Sequence, residues 1–201
     1  MSLKHSYALI APFYDAFLTA ATHAARGRSL AALIDHVPGE VLIAGIGTGL
    51  DIPHLPSQHR YVGIDVTRAM LAKAKRRLDG EHIRLVQGDV QRLPFADNRF
   101  DAVVLHLILA VVPEPKACLA EAARVLKPGG LILVFDKFLK PGERALWKRA
   151  INSLTRHVAT RLDVVFEEVL AAAPGVDRHH DEPALAGGWF RLIRLRKAEL
   201  R

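Results

Sequence analysis

The stretch EVLIAGIGTGLDIPHLP, Glu40 to Pro56, decides how the rest of the chain is read. Its opening is a short apolar run of β type, which breaks into Gly45, Gly47 and Gly49. Glycines at alternate positions remove Cβ atoms where a backbone must turn sharply and approach a ligand closely. A helix reopening after the turn would aim its free N–H groups at that ligand. Strand, glycine turn and helix together predict a nucleotide pocket.

Upstream of this stretch, Ile10, Phe13, Tyr14, Phe17, Leu18 and Ala21 share one helix face by their spacing, which predicts an amphipathic lid. A second helix is expected over about Arg26 to His36, stopped by Val37-Pro38-Gly39. Downstream, RYVGID (Arg60 to Asp65) is a second strand, followed by Thr67 as a helix N-cap and a helix to about Leu78. His82 to Asp89, Phe100 to Leu107 and Leu131 to Phe138 are further strands, with a helix from Pro113 to Leu126 between the last two. Helices are expected over Glu143 to Val158, with an apolar stripe from Trp147, and over Arg161 to Ala173; GWFRLIRLRK from Gly188 is a last strand. Such alternation gives an α/β fold, a parallel sheet covered on both faces, with ligands at the carboxyl ends of its strands.

The 201 residues are half apolar and 24% charged, the balance of one globular domain. No apolar run reaches the ~20 residues that span a bilayer, and the first residues lack the regions of a signal peptide, so a cytoplasmic protein is expected. The lone Cys118 reads as a small buried side chain in an Ala-rich helix. The net charge of +7 is uneven: Lys137 to Arg161 holds seven basic residues against one acidic. That face suits an anionic membrane surface or a solvated helix side. No aromatic-interleaved basic repeat points to nucleic acid, and no feature specifies an oligomer. His179, His180, Asp181 and Glu182 read as a polar turn, because adjacent strand side chains face opposite ways and no second ligand pair stands nearby; no metal site is expected.

The glycine spacing separates two cofactor classes. A dinucleotide pattern needs glycine at position 50, which is Leu50. Asp65 ends the second strand twenty residues beyond Gly45, where a carboxylate accepts hydrogen bonds from ribose hydroxyls. Asp89 ends the third strand and can accept from an adenine amino group, while Met70 faces either the adenine ring or the core. Each Asp alone could equally cap a helix or close a turn.

VLIAGIGTG, YVGIDVTRAML, GDVQRLPFADNRFDAVV and ARVLKPGG resemble the class I S-adenosylmethionine-dependent methyltransferases (methyltransferase type 11-like), a family that includes quinone-ring and phospholipid methyltransferases. YALIAPFYDAFL and GGWFRLIRLRK further resemble the small bacterial phosphatidylethanolamine N-methyltransferases. The resemblance implies a Rossmann-like seven-stranded sheet, mostly parallel, with helices on both faces and a late antiparallel strand. It divides the chain into a helical cap (residues 1–37), a cofactor-binding core (40–138) and C-terminal helices and strands (139–201). It implies S-adenosylmethionine as cofactor and S-adenosylhomocysteine as product. Gly45, Ile46, Gly47 and Gly49 would meet its methionine and ribose, Asp65 with Val66 the ribose, and Met70, Asp89 and Val90 the adenine; His106 and Leu107 would lie near the methyl group. The family usually places an acid two residues before the first glycine, where this chain has Ile43.

Methyl transfer from a sulfonium is an in-line displacement governed by alignment. An amine acceptor must also lose a proton, for which Tyr14, His106 and Asp136 are the candidates. The expected activity is methylation of a hydrophobic or lipid acceptor, the amine of phosphatidylethanolamine first, with peripheral contact to anionic membrane. A quinone-ring or other small-molecule methyltransferase is the alternative. Ile43 leaves room for a non-catalytic S-adenosylmethionine-binding protein, and an NAD-type dehydrogenase is disfavoured by Leu50.

Overall fold

Along β1 (Glu40–Ala44) the side chains alternate between two cores. Val41 and Ile43 pack with Leu30 and Leu33, whereas Leu42 and Ala44 pack with Leu119 and Ala122, and all four strand residues are buried. A strand buried on both faces is an apolar run, which is why VLIA carries no polar residue. The computed structural model describes residues 20, 22–78, 80, 82–139 and 163–199. The expected lid face, including Tyr14, and the stripe from Trp147 to Val158, with most of the basic segment, lie outside these residues.

β1 pairs in parallel with β2 (Arg60–Asp65) on one side and β4 (Phe100–His106) on the other. β2 pairs with β3 (Ile83–Gln87), and β4 with β5 (Leu126–Lys137), again in parallel. β6 (Val176–Leu185) and β7 (Phe190–Lys197) close the sheet, with β7 antiparallel to both β5 and β6. The order β3-β2-β1-β4-β5-β7-β6 reverses direction between β1 and β4, which opens a crevice at their carboxyl ends. A helix over residues 22–30, α1, and α2 (Arg68–Lys75) cover one face through Leu30 and Leu71. On the other, α3 (Pro115–Val125) packs through Leu119 and Ala122, and α4 (Phe166–Leu170) through Phe166 and Val169. Each fully buried leucine or phenylalanine here contributes ~1.5–3 kcal/mol of burial.

Several expectations are corrected. No α-helix follows the glycine turn: Ile52–His54 forms one 3-10 turn and Leu55 is extended, at ψ 123°. Pro56 disfavours the helical region at Leu55, so the helix cannot continue. The second upstream helix starts earlier and gives way to a 3-10 turn at Ala31–Leu33, short of His36. Thr67 does occupy the N-cap of α2, but its side chain makes no cap bond; Asp65 Oδ1 accepts its N–H at 2.8 Å instead. β5 begins at Leu126, directly after α3 and ahead of the expected Leu131, with a register shift between the two. His179 to Glu182 lie within β6 and not in a turn. β6 is an edge strand, held by its backbone to β7, and an edge tolerates charge on its outer surface.

Candidate active site

The three glycines of the turn adopt left-handed backbone, with φ of 78° at Gly45, 55° at Gly47 and 82° at Gly49. A side chain at Gly45 would collide with Ile108, its Cβ 2.6 Å from Cδ1, and one at Gly49 with Ile52 and Ala74. Gly47 differs. Among the described residues a Cβ there would meet only the Gly45 carbonyl at 3.9 Å, which leaves the space over Gly47 open to them. Ile46 is buried over Gly63.

The end of β2 closes this turn. Asp65 Oδ2 accepts the Gly47 N–H at 3.0 Å, and the backbone of Gly88 donates to the Asp65 carbonyl, placing the ends of β2 and β3 side by side. Beside them Val66 is 65% and Met70 37% exposed, large apolar side chains at the surface of the described residues. Asp89 is exposed and accepts from the Gln91 backbone and side chain, while Val90 is buried beneath it. The apolar surface and the two carboxylates thus occupy one rim, at the ends of adjacent strands.

On the other side of the turn a second group of polar residues is buried. His106, the last residue of β4, holds its Nδ1 2.7 Å from Asp51 Oδ1 and its Nε2 2.9 Å from Ser29 Oγ. Arg26 donates to the same Asp51 oxygen at 2.7 Å and to Thr22 Oγ1 at 3.2 Å. All five residues are under a tenth exposed. Burial pushes the Asp51 carboxyl up, but His106 and Arg26 together outweigh it and hold the carboxyl well below the usual range. An ionised Asp51 can only accept, so Nδ1 carries a proton toward it; in the neutral ring this leaves Nε2 to accept from the Ser29 hydroxyl. His54 stacks edge-on to His23 nearby, and burial, then His23, lowers its pKa.

Just past His106, Leu107 is a non-glycine residue at φ 54°, a conformation that costs ~1–2 kcal/mol and marks a constrained position. Its N–H donates to Phe135 O at 2.7 Å. Asp136 anchors the following turn: Oδ2 accepts from Ala110 N at 3.0 Å and Oδ1 from Lys137 N at 2.8 Å. At 1% exposure its carboxyl is pushed up to about 6 by burial, against the pull of those amides. Both oxygens therefore face backbone.

Of the residues expected from sequence, the structure gathers the glycines, Asp65, Val66, Met70, Asp89 and Val90 along one rim. It sets His106, Leu107 and Asp136 around the ends of β4 and β5; Tyr14 lies outside the described residues. Sequence reasoning passed over Arg26, Ser29 and Asp51. The signal was available: Thr22, Arg26 and Ser29 stand at i, i+4 and i+7, a polar stripe on one face of an Ala-rich helix. Cys118 is buried, and burial pushes its thiol up to about 12. Among the described residues no cluster of His, Cys, Asp and Glu could hold a metal ion, and no helix is long and apolar enough to cross a membrane.

Residues 42–134 match a family described as a methyltransferase domain. Phosphatidylethanolamine N-methyltransferase of Cereibacter sphaeroides is 31% identical over 85% of this chain and 86% of its own. Demethylmenaquinone methyltransferase of Renibacterium salmoninarum is 42% identical, over 50% of this chain and 42% of its own. Among solved structures, geranyl diphosphate C-methyltransferase of Streptomyces coelicolor, crystallised with S-adenosyl-L-homocysteine, superposes with a TM-score of 0.69 at 17% identity, covering 87% of this chain and 76% of that one. The residues present fit such a cofactor. Open space over Gly47 among the described residues admits its backbone-hugging part, Asp65 keeps free lone pairs for hydroxyls beside the Gly47 and Thr67 N–H groups it accepts, and Val66 with Met70 offers exposed apolar surface to a base. Ile43, where an acid is usual, is fully buried among Leu30 and Leu33 and serves the core. The likeness across most of the chain and the fit of the rim to a nucleoside agree: this chain belongs to the class I S-adenosylmethionine-dependent methyltransferases, enzymes that use S-adenosylmethionine as their methyl donor.

Proposed function

We propose that the enzyme methylates an amine-bearing phospholipid, phosphatidylethanolamine first among them. The observation that carries this reading is the extent of the likeness to the Cereibacter sphaeroides phosphatidylethanolamine N-methyltransferase, 85% of one chain and 86% of the other. The identity to the Renibacterium salmoninarum demethylmenaquinone methyltransferase is higher but covers only half of this chain. That higher identity supports a second reading, methylation of a quinone ring.

Bound S-adenosylmethionine supplies an electrophilic methyl group on a sulfonium, whose departing thioether is neutral. The chain's own work is to bind and align. Gly45, Ile46, Gly47 and Gly49 hold the methionine and ribose, Asp65 and Val66 the ribose hydroxyls, and Met70, Asp89 and Val90 the adenine. His106 and Leu107 line the methyl side, and Leu107's strained backbone keeps its carbonyl and side chain in one orientation. Asp136 acts at one remove, fixing the turn through Ala110. In this reading Tyr14 remains a candidate acceptor of the amine proton, and the net positive charge of the Lys137 to Arg161 sequence suits an anionic surface.

The test is a panel of acceptors with labelled methyl donor: phosphatidylethanolamine vesicles, a demethylated quinone and small amines. Label in the lipid is expected. Label in the quinone with none in the lipid would overturn the proposal. Calorimetry on the same preparation should find S-adenosylhomocysteine binding weakened at least about tenfold by Asp65→Ala, the loss of a charge-assisted hydrogen bond. Equal affinity would remove Asp65 from the binding set.

A further inference from the structure

We infer that Ser29, His106 and Asp51 form a proton relay on the acceptor side of the site, with Ser29 Oγ as the group that meets the acceptor and Arg26 and Asp51 as positioning residues. The inference rests on the reading of the site as one that methylates a proton-bearing acceptor. Neither Ser29, Asp51 nor Arg26 belongs to the residues expected to bind the methyl donor.

Three observations carry it. First, the three groups are in series: Ser29 Oγ lies 2.9 Å from His106 Nε2, and His106 Nδ1 lies 2.7 Å from Asp51 Oδ1. A hydroxyl that donates to an imidazole backed by a carboxylate is the arrangement by which proteins pass a proton from an oxygen to a base. Second, its place is fixed by the fold. His106 ends β4, two residues past the β1 pairing at Val104, and it directly precedes the strained Leu107. This is the mouth of the crevice where the strand order reverses, and Ser29 reaches it from α1. Third, the charges close. Arg26 offsets Asp51 while the ring is neutral, and a protonated ring would meet the Asp51 carboxylate directly at 2.7 Å.

Among the described residues, the charged and titratable groups around His106 are Asp51 from the glycine stretch, Arg26 from α1 through its bond to Asp51, and His54 from the 3-10 turn; from β5 the Phe135 ring stands edge-on at 5.7 Å. A purely structural tie of α1 to the turn would need an acceptor for Arg26, which Asp51 provides alone. It would not need a histidine held in one tautomer with its basic nitrogen turned to a hydroxyl.

In the transfer the acceptor nitrogen forms its bond to the methyl carbon as the S–C bond opens, and the electron pair of that bond stays on sulfur. The acceptor's proton passes to Ser29 Oγ while the Ser29 hydroxyl proton passes to His106 Nε2. Asp51 steadies the resulting imidazolium, which returns its proton to solvent after the product leaves.

Ser29→Ala and Ser29→Thr separate the relay from packing, since both keep the helix and only Thr keeps the hydroxyl. With the acceptor that the panel identifies, the full-length Ser29→Ala protein should lose kcat on the order of 10²-fold, with its S-adenosylhomocysteine affinity unchanged, and Ser29→Thr should keep most of the rate. Equal rates for Ser29→Ala and wild type, or equal losses in Ala and Thr, would overturn the relay. A readout independent of any acceptor is ¹⁵N NMR of the histidines, assigned by subtraction of His106→Gln. His106 is expected as the Nδ1–H tautomer, lost in Asp51→Asn; an Nε2–H tautomer in the wild type would overturn the relay even if phosphatidylethanolamine is methylated. Conversely, a quinone acceptor would sink the lipid reading and leave the relay standing.

Discussion

Two carboxylates flank the mouth of the crevice, equally buried and oppositely treated. Asp51 is 2% exposed and Asp136 1%. Asp51 is paired with a guanidinium and an imidazole, whereas the hydrogen bonds of Asp136 among the described residues come from backbone amides, with Lys137 acting on it through its charge alone. Burial raises both, yet the first ends well below the ordinary carboxylate range and the second is pushed up to about 6. Depth alone does not set a buried group's charge; its neighbours do. One side of the crevice is therefore a permanent ion pair, and the other a carboxyl that titrates under mild acid.

The largest effect that would break this comparison is on the ion pair. Asp51→Ala leaves Arg26 buried without its counter-charge, and urea unfolding should report a loss of about 3–5 kcal/mol. A loss below about 1 kcal/mol, the level of a surface pair, would mean that Arg26 has another partner. Asp136 should be distinguished by pH. Its folded value lies above its ordinary 3.8, so its contribution is fully present below about pH 4 and is lost as pH rises through about 6. A shift of that size corresponds to about 3 kcal/mol. The stability gap between wild type and Asp136→Asn, measured by urea unfolding from pH 3.5 to 8 on the same scale, should therefore shrink with rising pH. Asp51 has the opposite sign: its contribution is present above the ordinary carboxylate range and is lost only as pH falls toward its lowered folded value. A gap for Asp136→Asn that grows with pH would refute the contrast. The smallest effect is the control. Asp97 pairs with Arg124 at 2.6 Å but its side chain is 69% exposed, so Asp97→Ala should cost less than about 1 kcal/mol at any pH.

The same contrast explains what could be read from the sequence. Apolar strands declare themselves by composition, and β1, β2, β4 and β7 lie within about two residues of their expected bounds. The left-handed turn was legible because only glycine takes that backbone freely. Asp65 and Asp89 were legible because each ends an apolar run. Asp136 also ends such a run, and the reading that flagged it as a proton acceptor could not see the Ala110 amide, which lies 26 residues away. Asp51 was passed over for the converse reason. Its partners Arg26 and His106 are 25 and 55 residues distant, and nothing in GLDIPHL signals that they converge. The missing helix after the turn was written in Pro53 and Pro56, whose local cost outweighed the expectation set by the glycines. Strand placement of His179 to Glu182 was not legible, since an edge strand is held by backbone bonds that leave side-chain polarity free.

The central claim, that this methyltransferase serves an amine-bearing phospholipid, is tested most directly by labelled methyl transfer from S-adenosylmethionine to phosphatidylethanolamine vesicles, with His106→Gln alongside. The account predicts label in the extracted lipid as N-methylated product, and its near loss in His106→Gln while S-adenosylhomocysteine binding persists. Wild-type protein that binds S-adenosylhomocysteine and labels a quinone, but leaves the lipid unlabelled, would contradict it.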